Sequence, residues 1–523
     1  MNTSFTPSIG KDVIESLTIG MYEDSRFIYR EYIQNSADQI DKAMKEGLLS
    51  PHEGEIHINI DYDERTITIE DNATGIISSE VQPILQNIAQ STKKRGVDKG
   101  FRGIGRLGGI AYCEQLIFET SFNGENKKSI LSWDASELKN IINNRDVKED
   151  AISVIKEVTT FSTEKEDSEK HYFKVILKNV TNDDLLDKDS IKKYLSMVAP
   201  VPFATKFIYR SEVYKELKED NILLDEYKIY LNSNKGKDCE QIFKGYSTYI
   251  YKGDENNRRQ EDEVIDIGIF REYASDGKLL FWGWHSVSEK NQSLNQINYM
   301  RGFRLRKANI QIGDEYTLMK LQRDRRFHFY FFGEIYAVHP DLIPNSRRDY
   351  FTENKIFFEF EHKLKSYFHS KTYKLCYAAS EINSSLKRIE NLKSFEEEYR
   401  QKQSDGFTDK KEHQEYIEQL KAKQEEAQKA QSKIERIKKE ADENAVIPVQ
   451  RILTRVAQPE ATNIETSVID TEKQDKTKFR TDKLSRLNGK ERRFVGKIFT
   501  IIRDVLDNGS AEDLICKIEE ELK

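Results

Sequence analysis

The sequence has 523 residues, of which 33% are charged and 37% hydrophobic, and its formal net charge is −7 at pH 7. At roughly 150 residues per domain, this length predicts about three domains. No run approaches the ~18 apolar residues needed to span a bilayer, and the first residues lack the basic and apolar regions of a signal peptide. The four cysteines include no CxxC pair, which indicates neither a zinc site nor a disulfide framework. We therefore expect a cytoplasmic protein without membrane contacts, and the acidic balance argues against non-specific DNA binding by the chain as a whole.

Composition and periodicity change along the chain and predict five regions. Residues 1–195 alternate helix-like and strand-like segments, and residues 196–377 contain short aromatic and β-branched runs typical of an α+β domain. Residues 378–445 form a charge-dense helical arm, residues 446–480 a polar linker and residues 481–523 a small helical segment. In the arm, a heptad counted from Ile417 has three polar seam positions out of eight, so a coiled coil and a solvated helix both stay open. In the last segment, Gly509 is expected to stop one helix and Ser510 to cap the next.

Residues 25–46 predict an amphipathic helix with three polar side chains on one face. Glu31, Asn35 and Asp38 fall within about 60° of one another at 100° per residue, opposite the apolar stripe. This spacing is compatible with an ordinary solvated face. It is equally compatible with a site in which Asn35 supplies an oxygen to Mg²⁺ and Glu31 activates water.

A strand is predicted to end at Asp71. Ile67 and Ile69 share parity with Asp71, so the carboxylate follows the buried face of the strand. A buried carboxylate needs hydrogen-bond donors, which the amino edge of adenine would provide. Gly75 just beyond permits a positive φ angle or a close backbone approach. A turn aspartate that caps its own loop is the alternative.

Six of the chain's 25 glycines lie between residues 96 and 109, in the segment GVDKGFRGIGRLGG. Glycines let backbone N–H groups approach phosphate oxygens closely, and the helix-compatible segment that follows would add a favourable dipole. A dinucleotide-binding GxGxxG motif requires a hydrophobic strand directly before it, and STKKRGVDKGFR is not one. A P-loop is excluded because no GxxxxGK followed by Ser or Thr occurs in this segment.

The segments REYIQNSADQI at 30–40, DNATGI at 71–76 and GFRGIG at 100–105 together resemble the GHKL ATPases, which include gyrase B, the ninety-kilodalton heat-shock chaperones, histidine kinases and MutL. The resemblance implies a Bergerat-type α/β sandwich, with Glu31 as general base, Asn35 as magnesium ligand and Asp71 as the adenine-binding carboxylate. By the same resemblance, the remaining nucleotide-binding positions are Asp38, Gly75, Lys94, Gly100, Phe101, Gly103, Ile104 and Gly105. Two features depart from the family pattern. Ala73 stands where the family has a glycine, and the strand YFKVILKNV at 172–180 lacks a threonine that many relatives place near adenine.

A second resemblance covers residues 299–314 and 333–351, which are similar to the middle domain of the heat-shock chaperones and of MORC-related proteins. The segment LIPNSRRD at 342–349 resembles the loop whose arginine reaches the γ-phosphate, which implies that role for Arg348, with Arg347 as the neighbouring candidate. A surface arginine pair in salt bridges is the alternative. Together the two resemblances cover roughly residues 8–370.

These resemblances imply an α+β protein with a helical carboxy-terminal region that uses ATP and Mg²⁺. ATP binding is expected to close a lid between Asn72 and Lys99, after which an arginine from the middle domain completes the site. We expect a homodimer that acts as a chaperone-like clamp on protein clients. The alternative is a nucleic-acid clamp of the MutL or MORC type, for which bacterial defence against phage is one setting. A histidine kinase is disfavoured because no dimerisation helix precedes the first domain.

Overall fold

In the computed structural model the chain divides into two compact units, Met1–Tyr373 and Lys374–Lys523. The residues that the structure describes are 9–18, 24–88, 105–144, 146, 149–219, 222–234, 236–407, 410–443, 479, 484 and 486–522.

Eight strands of the first unit build a mixed sheet. They are β1 Glu55–Asp61, β2 Thr66–Asp71, β3 Gln115–Ser121, β4 Lys127–Asp134, β5 Thr159–Lys165, β6 Tyr172–Lys178, β7 Lys228–Ser233 and β8 Gly236–Gln241. Their order in the sheet is β5-β4-β3-β6-β2-β1-β7-β8, and neighbouring strands are antiparallel except for the parallel pair β1 and β7. The sheet therefore continues past the predicted domain boundary at residue 195.

Helices cover one face of this sheet because the strands alternate buried and half-exposed residues. The isoleucines of β1 are buried at every second position and pack in one core with the apolar stripe of the second helix. The helices associated with this sheet are α1 Asp12–Thr18, α2 Phe27–Lys45, α3 Ser78–Leu85, α4 Ala135–Asn143, α5 Ala151–Val158 and α6 Lys188–Val198. The observed α2 agrees with the helix predicted at 25–46 to within two residues at each end.

A second sheet follows in the first unit. Its strands are β9 Tyr249–Lys252, β10 Arg259–Tyr273, β11 Leu279–Ser288, β12 Gly302–Lys307, β13 Ile310–Ile312 and β14 Phe332–Ala337, in the order β13-β12-β14-β11-β10-β9. Helices α7 Arg210–Glu219 and α8 Lys355–Tyr367 accompany it. Its core is aromatic, with Trp284 fully buried against Phe207, Tyr246 and Phe332.

A buried ion cluster joins this sheet to the end of α6. Glu334 accepts hydrogen bonds from Lys244 at 2.9 and 3.0 Å and from Arg306, and all three side chains are fully buried. Arg306 also donates to the carbonyl oxygens of Met197 and Asn309. Although burial opposes ionisation, the charges of Arg306 and Lys244 lower the pKa of Glu334 to about 2.

The second unit is helical. It contains α9 Tyr373–Asp405, which starts at the boundary between the units, α10 Lys410–Glu443, α11 Gly489–Val505 and α12 Asn508–Glu521. Tyr416 donates to Glu398 at 2.6 Å and Lys433 to Glu381 at 2.8 Å, so α9 and α10 run antiparallel as a hairpin. The predicted linker at 446–480 lies outside the described residues except for Phe479.

The helical hairpin corrects details of the predicted arm. Leu420, Ala427 and Ile434 of the expected heptad are buried, but Ala430 and Ile437 complete the buried stripe in place of the glutamines. The cap prediction for the last helix was wrong. Asp507 caps α12 by accepting from the backbone of Gly509 and Ser510, which both lie inside that helix, because an aspartate side chain satisfies two free N–H groups there. Within the described ranges, every helix is too short or too polar to cross a bilayer.

Candidate functional site

Glu31 lies buried on α2 and meets an arginine from the second sheet's region. Its side chain is 6% exposed, and its Oε1 lies 3.0 Å from Arg348 Nε, which is itself 13% exposed. The two atoms are within ion-pair distance, although the N–H direction does not complete a hydrogen bond to Oε1. The structure thus brings together two residues that are 317 positions apart in the sequence and that sequence analysis assigned to one site.

Gly105 packs directly against the same carboxylate. A Cβ atom built at this position would lie 1.9 Å from Glu31 Oε2 and 2.8 Å from its Cδ. Gly105 begins the 3₁₀ helix Gly105–Tyr112, which includes the end of the glycine-rich segment 96–109. A side chain here would displace the Glu31 carboxylate, so the last glycine of GFRGIG leaves room for Glu31 in its observed position.

The 3₁₀ segment is fixed to α2 by the Tyr32 hydroxyl. This hydroxyl donates to the carbonyl oxygen of Arg106 at 3.1 Å and accepts from the backbone N–H of Gly109 at 3.1 Å. Sequence analysis did not identify Tyr32, because a tyrosine next to a predicted catalytic residue is usually an ordinary core residue. Its position directly after Glu31 was the available signal.

Asp71 ends β2 inside the first core, as its parity with Ile67 and Ile69 predicted. The residue is 1% exposed, its Oδ1 accepts from the backbone N–H of Ala73 at 3.1 Å, and within the described chain its Oδ2 has no hydrogen-bond partner. Burial raises the pKa of the Asp71 carboxyl to about 7, although the nearby Ser36 hydroxyl and Ala73 amide oppose part of this rise. An unsatisfied buried acceptor fits a ligand that donates a hydrogen bond, such as an adenine amino group.

The turn after β2 explains how alanine replaces the family glycine. Ala73 is fully buried and does not have a positive φ, so a Cβ is tolerated, and its carbonyl oxygen lies 2.8 Å from His171 Nδ1. Gly75 has φ of +65°, and a Cβ there would lie 1.9 Å from the carbonyl oxygen of Ser121. Both features expected of Gly75 are present, and the close approach is to the backbone of β3.

Asn35 and Asp38 lie on α2, one and two turns after Glu31, and both side chains are half-buried. The charge of Asp38 acts on Tyr227, whose hydroxyl donates to Asp41 at 2.6 Å. Within the described residues no group of three His, Cys, Asp or Glu side chains is placed to hold a metal ion. A single amide oxygen still fits Mg²⁺, because this ion keeps several waters and binds largely through substrate phosphates.

Five predicted nucleotide-binding positions lie outside the described residues. They are Lys94, Gly100, Phe101, Gly103 and Ile104.

The loop 343–352 presents the two candidate arginines differently. Arg348 has φ of +55°, and its backbone is held by a bond from its N–H to Asn345 and by a bond to its carbonyl oxygen from Gly313 at 2.8 Å. This turn directs its side chain to Glu31. Arg347 is exposed and makes no ion pair within the part of the chain that the structure describes.

Two further residues of α2 were missed by sequence analysis. Arg30 is buried, stacks on Phe27 at 3.8 Å and donates to the carbonyl oxygen of Gln311 at 3.3 Å, which is a second contact between α2 and the second sheet. Gln34 is 1% exposed, and neither of its side-chain amide atoms finds a hydrogen-bond partner among the described residues. Nothing in the sequence separates these positions from a solvated helix face.

The first unit combines a helix-covered mixed sheet with a buried carboxylate at a strand end. An acidic residue on a helix faces an arginine from the region of the second sheet. Together these features define a GHKL-type ATP-binding module. The family model described as histidine kinase-, DNA gyrase B- and HSP90-like ATPase matches residues 25–165. The match identifies residues 25–165 as a domain of this ATPase superfamily.

Curated relatives carry the name "Chaperone protein HtpG". The protein of Burkholderia cenocepacia is 25% identical over 234 residues, which are 41% of this chain and 34% of the relative. That of Wigglesworthia glossinidia brevipalpis is 26% identical over 311 residues, 55% of this chain and 43% of the relative, and that of Buchnera aphidicola is 29% identical over 145 residues, 24% and 23%. The matched segments thus span less than half the length of these relatives.

Proposed function

We propose that the chain binds and hydrolyses ATP with Mg²⁺ and uses the cycle to drive a chaperone-like clamp on protein clients. The observation that carries this proposal is the 3.0 Å contact between Glu31 of the first sheet's helical layer and Arg348 of the loop beside the second sheet. A site that needs both domains can couple its chemistry to their relative position, because a ligand shifts a conformational equilibrium through contacts that differ between states.

Each side chain has a defined task in this proposal. Asp71 Oδ2, which has no hydrogen-bond partner among the described residues, accepts a hydrogen bond from the amino group of adenine. Asn35 offers its amide oxygen to Mg²⁺, which when bound offsets the negative charge of the phosphates. Glu31 takes a proton from the attacking water, since a buried carboxylate is a general base for this step.

The ion pair sets a condition on the chemistry. While Arg348 is paired with Glu31, its guanidinium lies against the carboxylate that the proposal needs to accept a proton from water. An arginine also binds phosphate oxygens with its planar fork. We infer that the guanidinium must shift its contact toward the γ-phosphate before Glu31 acts, so that hydrolysis waits for correct placement of the second domain.

A Glu31→Gln variant tests the proposal. The amide keeps the shape of the side chain but is not a base, so we expect ATP binding by calorimetry to remain and the hydrolysis rate to fall about 10²- to 10⁴-fold. Glu46→Gln is the matched control, because Glu46 is an exposed residue at the end of the same helix. Unchanged hydrolysis by Glu31→Gln would remove this residue from the mechanism, and absence of ATP binding by the wild-type protein would refute the whole proposal.

The output is tested by stimulation of the ATPase. An unfolded protein should raise the hydrolysis rate, as expected for a chaperone-like clamp, whereas stimulation by duplex DNA alone would favour the nucleic-acid clamp. We also propose a homodimer, and analytical ultracentrifugation with and without nucleotide measures its mass.

A further inference from the structure

A cavity of about 850 Å³ lies between the helical layer of the first sheet and the second sheet. Its walls come from the start of α2, from α6, from the segments around β12 and β13, and from the loop 343–352. This volume falls in the range of small-molecule sites, which is ≈ 300–1,000 Å³. Of the predicted ATP-site residues that the structure describes, only the arginines of the loop line this cavity.

The lining is positively charged. The first domain contributes Arg26, Arg30 and Lys193, and the region of the second sheet contributes Arg301, Arg304, Arg347 and Arg348. Four acidic residues also line the cavity, which leaves an excess of three positive charges, or two when Glu31 behind Arg348 is included. A net positive charge on low-dielectric cavity walls concentrates anions.

Some of these cationic side chains contact neutral groups and not carboxylates. The positive charge of these side chains is therefore available to a ligand. Arg301 stacks on Phe329 at 4.3 Å and donates to the Tyr316 hydroxyl at 3.2 Å. Arg347 forms no ion pair with any described residue. By contrast, Arg304 is paired with Glu315 at 3.1 Å. Guanidinium groups fixed in place in this way suit phosphate oxygens, because less side-chain entropy is lost on binding.

Two buried polar atoms in the lining lack partners. Arg304 is 4% exposed and its Nε has no hydrogen-bond acceptor, while Gln311 is 3% exposed and its Oε1 has no donor, within the described residues. Leaving such atoms unsatisfied costs ≈ 1–3 kcal/mol each. A ligand that carries both an anionic acceptor and a hydroxyl donor would satisfy both.

We propose that this cavity is a second ligand site, which adjoins the proposed ATP site at Arg347 and Arg348, for a small polyphosphorylated molecule that also bears hydroxyl groups. The cations bind its phosphates, Arg304 Nε binds a phosphate oxygen and Gln311 Oε1 accepts from a hydroxyl. The volume of the cavity favours such a molecule over a nucleic-acid duplex.

The experiment is calorimetric titration of the full-length protein with inorganic tripolyphosphate while ADP is held at saturation. ADP keeps the ATP pocket occupied. We expect one binding event that Arg301→Gln weakens about tenfold, because one charge-assisted contact is lost, and that Lys193→Gln weakens to a smaller extent. Lys192→Gln is the matched control, because Lys192 is the neighbouring exposed residue on α6, pairs with Glu240 and does not line the cavity.

Three outcomes would overturn the proposal. They are no binding of tripolyphosphate, binding that Arg301→Gln and Lys193→Gln leave unchanged, and displacement of tripolyphosphate by a single-stranded oligonucleotide that binds more tightly. If ADP itself does not bind, the proposed ATPase function fails, and the comparison of Arg301→Gln with Lys192→Gln still decides the cavity site.

Discussion

Replacing Gly105 by alanine should misplace the carboxylate on which the proposed hydrolysis depends. The new methyl group would lie 1.9 Å from Glu31 Oε2, and real Cβ contacts under 3.0 Å essentially do not occur. The carboxylate must therefore move by about 1 Å, and its burial and its ion pair with Arg348 restrict where it can go. A displacement of about 1 Å in an active site can reduce the rate ~10²-fold, which corresponds to about 2.7 kcal/mol in the barrier.

The assay is steady-state ATP hydrolysis together with ATP affinity and thermal unfolding. We expect Gly105→Ala to lower kcat about 10²-fold while the affinity for ATP changes much less. Gly54→Ala is the control for a buried clash elsewhere in the domain, because its Cβ would lie 2.3 Å from the Ile40 side chain, and Gly10→Ala meets nothing within 4 Å. If Gly105→Ala keeps normal kcat, or if Gly54→Ala lowers kcat equally at matched stability, the reasoning is refuted.

Three other predictions follow from the same contacts. Because the pKa of Asp71 is about 7 in the folded protein against an ordinary 3.8, the folded state binds the extra proton between these values and loses stability as pH rises through about 7. Without nucleotide, Asp71→Asn should therefore have a higher Tm than wild type at pH 8 and a smaller difference at pH 5, with ATP binding weakened; an equal Tm at pH 8 would contradict the buried charge. Arg348→Ala should keep ATP affinity and lower kcat about 10²- to 10³-fold in single-turnover assays. Glu334→Ala should lower the free energy of unfolding in urea by ~3–5 kcal/mol, because two buried cations lose their partner, whereas Glu219→Ala in the exposed pair with Lys215 should cost under about 0.5 kcal/mol.

Local patterns in the sequence predicted the parts of the site that depend on periodicity. The helix at 25–46 and the buried side of the strand before Asp71 follow from periods of 3.6 and 2, and both agree with the structure. The resemblance to GHKL ATPases then selected Glu31 and Arg348 from many charged residues. Periodicity could not predict the contact between Glu31 and Arg348, because this contact depends on how the elements around the two sheets pack against each other.

Other features needed the three-dimensional structure for a similar reason. The parallel pairing of β1 with β7 joins Ile56 to Ile229, and no local signal specifies a partner that far along the chain. The lining of the charged cavity also comes from four separate stretches of sequence, in each of which an arginine or lysine resembles an ordinary surface residue. The assigned roles of the site residues and the domain boundaries remain predictions.

The return of the chain to the first sheet has a practical consequence for work with isolated pieces of this protein. After α6, the chain places Phe203 and Phe207 in the aromatic core, then goes back to add β7 and β8 beside β1, and only afterwards completes the second sheet. A fragment cut at residue 195 would expose the backbone of β1 as a bare edge that invites aggregation. The chain thus passes several times between the part of the first unit built on the first sheet and the part built on the second sheet. These crossings favour sliding or rocking where the two parts meet over wide separation on a single linker.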